Sequence, residues 1–163
     1  MLQRVQSIFL FITAMCMVSI LFFPLWEKLD IEKNEAMRLS ALSLKLEKTD
    51  IETGDIVVIK EQTTIYLGAL CLVAAALAMY SIFRYDNRLA QLKLNAVNSL
   101  FMGAAIGLSV YLTINADKEF LPGVQGSYAT GYYLFVVAML ANIVSNRFIR
   151  KDENLVRSAD RLR

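Results

Sequence analysis

The chain has 163 residues, 56% of them hydrophobic and 20% charged, with a mean hydropathy of +0.46 and a formal net charge of +2. A water-soluble domain is about 45–50% apolar and about 25% charged, so the composition leans toward lipid. Seven Gly and two Pro exclude a collagen-like or flexible low-complexity chain, and the absence of His removes the commonest general base and metal ligand.

A helix that crosses about 30 Å of hydrocarbon at about 1.5 Å per residue needs about 20 apolar residues. Val5–Trp26, Gln62–Phe83, Leu94–Ala116 and Phe120–Asn146 carry no charge. Pro122, Gly123, Gly126 and Ser127 read as loop, so the last helix is placed from Tyr128. The spans predicted are 5–25, 62–83, 94–115 and 128–148, in a single membrane domain. The first is read as an uncleaved helix rather than a signal peptide: its apolar stretch is too long, and no small-x-small site precedes Pro24-Leu25-Trp26.

The segment 27–61 is too long for a tight link and holds nine acidic residues. Leu42, Leu44 and Leu46 alternate with Ser43, Lys45 and Glu47, the period of a half-buried strand. A turn signal at Glu52-Thr53-Gly54-Asp55 then leads into the β-branched run Ile56–Ile59. The expectation is an all-α integral membrane protein, a four-helix antiparallel bundle with a small β hairpin in this first extracytoplasmic loop.

Lys and Arg concentrate on the cytoplasmic side of a span. Arg4, the link between spans two and three, and the tail supply ten; the other side has seven, six of them in the acidic loop. Both termini are therefore expected in the cytoplasm.

Inside the spans, small and polar residues recur at helical spacing, as helix contacts in lipid require. Asn95, Ser99, Gly103 and Gly107 fall at every fourth residue of span three. Asn98 adds to them, and Asn142, Ser145 and Asn146 follow in span four, at the membrane level of Gln6 in span one. Interhelical hydrogen bonding is the expected use of this polar cluster. The Gly103–Gly107 spacing also admits a homo-oligomer.

The uncharged runs of the spans, the fourth of which ends at Asn146 just before Arg147, hold no Asp, Glu, Lys, Arg or His, the usual marks of an ion or proton path. No P-loop, HExxH or G-x-G-x-x-G motif is present, and Cys16 and Cys71 read as packing residues. No catalytic residue, cofactor, metal or specific nucleic acid is expected.

The tail 149–163 contains no helix breaker. Phe148, Leu155 and Leu162 lie seven residues apart, a narrow apolar seam, and from Arg147 to Arg163 six basic residues meet three acidic ones. Acidic residues add nothing on anionic lipid but can set register on a protein. Arg84, Arg88 and Lys93 in the inner link and Arg150, Arg157, Arg161 and Arg163 in the tail are thus the candidate docking charges for a cytoplasmic protein partner.

Met1, Gln3, Arg4, Gln6 and Ser7, the Phe22-Phe23-Pro24-Leu25-Trp26 exit, the link Tyr85 to Leu94 and the ending Ile149 to Arg163 together resemble a family of uncharacterised four-span bacterial inner-membrane proteins, a domain of unknown function. The resemblance implies the fold and the bacterial inner membrane, and carries no activity. In plan alone, four helices with a β-rich first outer loop are similar to claudin-like membrane proteins. The function expected is a non-enzymatic accessory or scaffolding subunit of a larger membrane assembly. The alternative is a small oligomeric transporter or channel lined by Asn95, Asn98, Asn142 and Asn146.

Overall fold

The computed structural model describes residues 3–49, 55–85, 87–119 and 125–160. In chain order these form α1 (Gln3–Ser19), β1 (Trp26–Asp30), β2 (Glu35–Leu39), β3 (Ser43–Thr49), β4 (Ile56–Thr63), α2 (Ile65–Phe83), α3 (Arg88–Glu119), β5 (Ser127–Tyr128) and α4 (Thr130–Asp160). The expected all-α bundle with a small hairpin is corrected here. The strands make one five-stranded antiparallel sheet, order β4-β3-β2-β1-β5, in which the segment before α2 supplies four strands and the segment before α4 the fifth.

Cross-strand pairing explains why the sheet is this large. Trp26 lies opposite Leu39, Lys28 opposite Met37, Leu39 opposite Leu44 and Met37 opposite Leu46, which puts one side-chain face against the helices. On the other face Arg38 reaches both Glu27 and Glu47 at 3.4 Å, and Lys45 reaches Glu61 at 3.3 Å. The β1–β2 turn closes through the Asp30 carboxylate, which accepts the backbone N–H groups of Glu32 and Lys33, with Asn34 in the left-handed region at φ 54°. The predicted turn residues Glu52, Thr53 and Gly54 lie outside the described residues, as do Pro122 and Gly123.

Three helices, α2, α3 and α4, are long and apolar enough to cross a membrane. The fourth expected span is shorter than its apolar run. α1 has 17 residues, about 26 Å of rise. After Ser19 the backbone tightens into i→i+3 bonds, Leu21 N–H to Val18 and Phe22 N–H to Ser19, and Pro24 then blocks any continuation. At the other end of the chain α4 runs unbroken for 31 residues, about 46 Å, well past the predicted end of its span.

The helices alternate in direction. Thr13 donates from its hydroxyl to the Ala138 carbonyl at 3.3 Å and Ser145 donates to the Gln6 carbonyl at 3.3 Å, which runs α1 and α4 antiparallel. Ser81 of α2 donates to Asn95 of α3 at 2.7 Å. Small residues face inward: Ala14 in α1, Cys71, Ala74 and Ala78 in α2, Ala105 in α3, Ala138 in α4. Large apolar residues face outward, among them Phe11, Leu72, Leu100, Ile114, Val136 and Leu140. That distribution suits a hydrocarbon surround, where close backbone approach replaces the hydrophobic effect between helices.

Sheet and bundle share one core, in which Met17, Ile20, Leu67 and Phe135 from the helices meet Leu25, Met37, Leu39 and Leu44. Their junction also completes the helix starts. The Gly68 N–H of α2 donates to Ala41 O at 2.9 Å, and the Gly131 N–H of α4 donates to Pro24 O at 2.8 Å. At Gly68 an added Cβ would stand 2.7 Å from the tip of the Leu42 side chain, whereas at Gly131 it is the crossing backbone that leaves no room. A Cβ on Gly131 would stand 2.7 Å from Pro24 O and 2.9 Å from Phe23 O.

Candidate functional site

At the end of the bundle opposite the sheet, polar side chains from all four helices converge. α1 brings Gln6, α2 brings Ser81, α3 brings Gln91, Asn95, Asn98 and Ser99, and α4 brings Asn142, Ser145 and Asn146. Gln6, Ser81, Gln91, Asn95, Asn98 and Ser145 are fully buried, and Asn142 is 1% exposed. They are linked in series. The Gln6 amide donates to Gln91 Oε1 across the bundle at 3.4 Å, Gln91 donates to Ser81 O at 2.9 Å, and Ser81 donates to Asn95 Oδ1. Asn142 donates to Asn95 O at 3.2 Å and to Ser99 Oγ at 2.8 Å.

The i, i+4 and i+7 spacing of Gln91, Asn95 and Asn98 puts all three on the inward side of α3. The two glycines expected with them are placed differently. Gly103 and Gly107 lie on the outward side, and a Cβ on either would meet nothing within 4 Å. The sheet-side neighbours of the polar level are apolar, with Met17, Met102 and Phe135 all buried.

Beyond the polar level lie the link and the charged end of α4. Arg88 Nε donates to Asp152 Oδ2 at 2.7 Å, and both side chains are mostly buried. Arg88 is thus held inside the molecule, joining the start of α3 to the extension of α4. Arg84 turns back on Tyr80, donating to its hydroxyl at 2.9 Å with the guanidinium 5.4 Å above the ring centre. Lys93 and Arg150 are exposed. Arg157 is within α4, whereas Arg161 and Arg163 lie outside the described residues. Leu155, 51% exposed, and Val156 sit on the same helical end.

Sequence reasoning missed Gln91, Ser81 and Asp152. Gln91 could have been found from its one-turn spacing to Asn95, had the span not been started at Leu94. Ser81 carried no signal, since a lone Ser in an apolar helix is ordinary. Also missed was Lys28, 2% exposed in β1, whose Nζ stands 2.8 Å from Asp117 Oδ1 at the sheet end of α3.

Among the described residues no three His, Cys, Asp or Glu side chains gather as a metal site. The arrangement can do two things chemically: hold neutral hydrogen-bonding groups inside an apolar bundle, and present a mixed-charge helical end. No curated protein matches the sequence. A family model described as Domain of unknown function (DUF4293) matches residues 2–162, nearly the whole chain, and the protein belongs to that family.

Proposed function

We propose that the protein is a non-enzymatic integral protein of the bacterial inner membrane, with both termini cytoplasmic, and that it serves as an accessory or scaffolding subunit whose partner docks on the inner link and tail. The observation that carries this reading is the Arg88–Asp152 pair. It fixes the link and the extension of α4 as one surface, on which exposed Leu155 and Val156 stand near Arg150 and Lys151. An apolar centre with charges of both signs around it suits a protein surface, where burial supplies affinity and charge sets register. Lys93, exposed on α3, adds a further basic residue, the sequence carries three more at Arg157, Arg161 and Arg163, and the absence of ionisable residues from the apolar runs supports a non-transport role.

A photo-crosslinking amino acid at Leu155, compared with one at Leu140 on the outward face of the span, tests this. A single protein adduct of defined mass from position 155 in whole cells, lost on truncation after Lys151, is expected, with none from position 140. Purification of the full chain alone from mild detergent, with no protein adduct at 155, would overturn the reading.

A further inference from the structure

The polar level contains more hydrogen-bonding capacity than its own residues satisfy. Among the described residues, Gln6 Oε1, Asn95 Nδ2, Asn142 Oδ1, Asn146 Oδ1 and both ends of the Asn98 amide are buried without a protein partner. Each such group destabilises the fold if it stays unmet. In a bundle surrounded by hydrocarbon no bulk solvent is at hand to meet it.

We infer that this level is a hydration site, at which a small cluster of water molecules is bound between the helices. The chemistry of the unmet groups selects water over an ion. An amide unmet at both ends, as at Asn98, offers a donor and an acceptor whichever way it is turned, and Asn95 adds a second amide with one end unmet. A cation has no use for donors and an anion none for acceptors. Among the described residues no acidic side chain stands among these amides, and the nearest along α4, Asp152, is committed to Arg88. The ligand is neutral and both donates and accepts. At about three hydrogen bonds per buried water, six unmet atoms correspond to on the order of two to four molecules.

The fold also gives the site a direction. Toward the sheet it is closed by Met17, Met102 and Phe135, each no more than 1% exposed. Toward the other end the α3 series runs from Asn98 through Asn95 and Gln91 to Arg88, about 15 Å of helix, and reaches the Arg88–Asp152 pair. Water therefore enters from the link side and the site is blind.

Water-edited solid-state NMR of the full-length protein in bilayers with deuterated acyl chains tests this. The side-chain amides of Asn98 and Asn142 should receive polarisation from water several-fold faster than the backbone amides of Met102 and Ala105, one to two turns farther into the apolar core. Asn98→Leu should slow the transfer to Asn142. Equal, slow build-up at all four positions would overturn the inference, as would saturable shifts of the Asn amides when sodium replaces choline, which would assign the site to a cation.

Discussion

Gly131→Ala is expected to destabilise the protein by about 3 kcal/mol, lowering its midpoint of thermal unfolding in mild detergent by about 6–12 °C. The clash is with backbone, Pro24 O at 2.7 Å and Phe23 O at 2.9 Å, so no side-chain rotation relieves it. Nor can the Phe23–Pro24 backbone simply retreat. The Gly131 N–H donates to that same Pro24 oxygen, and moving away gives up the bond that satisfies the first turn of α4. Gly68→Ala should cost less, because its nearest contact at 2.7 Å is the tip of the Leu42 side chain. Gly103→Ala and Gly107→Ala should not destabilise and should gain up to about 1 kcal/mol each, with Ala the better helix former at open positions. Size-exclusion profiles after graded heating would order the four variants. A large loss at Gly103 or Gly107 would mean that the outward face of α3 is packed against something, a second copy included.

The second large effect belongs to the junction of β1 with the sheet end of α3. Asp117→Asn should cost about 2 kcal/mol, since it removes the carboxylate from an ammonium that is almost completely buried. Asp117 is itself half exposed, which keeps the loss below that of a fully buried pair. Lys28→Met should cost less than Asp117→Asn, because a flexible apolar chain fills the same channel and leaves Asp117 facing solvent. Combining both changes should be no worse than Lys28→Met alone. A double-mutant cycle of thermal midpoints reads the coupling directly. If Asp117→Asn were silent, or Lys28→Met the more damaging of the two, Lys28 would owe its burial to something other than Asp117.

The same lysine shows why the sheet was only partly legible. A strand is read from apolar residues alternating with polar ones, but in Trp26-Glu27-Lys28-Leu29-Asp30 the inward position is a lysine and Leu29, 56% exposed, faces out. The ion pair with the distant Asp117 makes that pattern sensible. Glu35-Ala36-Met37-Arg38-Leu39 is composed largely of helix formers, and its place between β1 and β3 overrides their propensity. β5 is two residues long, below any periodic signal. By contrast, β3 and β4 were visible from the Leu44–Leu46 alternation and the run Ile56–Ile59, and α2 from its unbroken apolar length.

The polar level was legible for a different reason. In an apolar helix Asn is conspicuous, and Asn95, Asn98 and Asn142 are the residues on which the helices converge. Which way Gly103 and Gly107 of α3 face was not legible, because Gly at every fourth position fits a packed face and an outward one equally. Arg88 was visible as a basic residue of the link, but its burial depends on Asp152, sixty-four positions on.

Everything proposed for the link, the tail and the wet polar level requires that the sheet and the extension of α4 lie on opposite sides of a bilayer. Cys16 and Cys71 are the two cysteines of the chain, so a Cys16→Ala, Cys71→Ala background lacks thiols. On it, single cysteines would replace Lys33, in the exposed β1–β2 turn, or Ser158, on the exposed end of α4, for labelling with a membrane-impermeant maleimide in intact bacterial spheroplasts. The account predicts that Lys33→Cys labels at once and Ser158→Cys only after the membrane is permeabilised. Labelling of both positions from outside, or of Ser158→Cys alone, would contradict it.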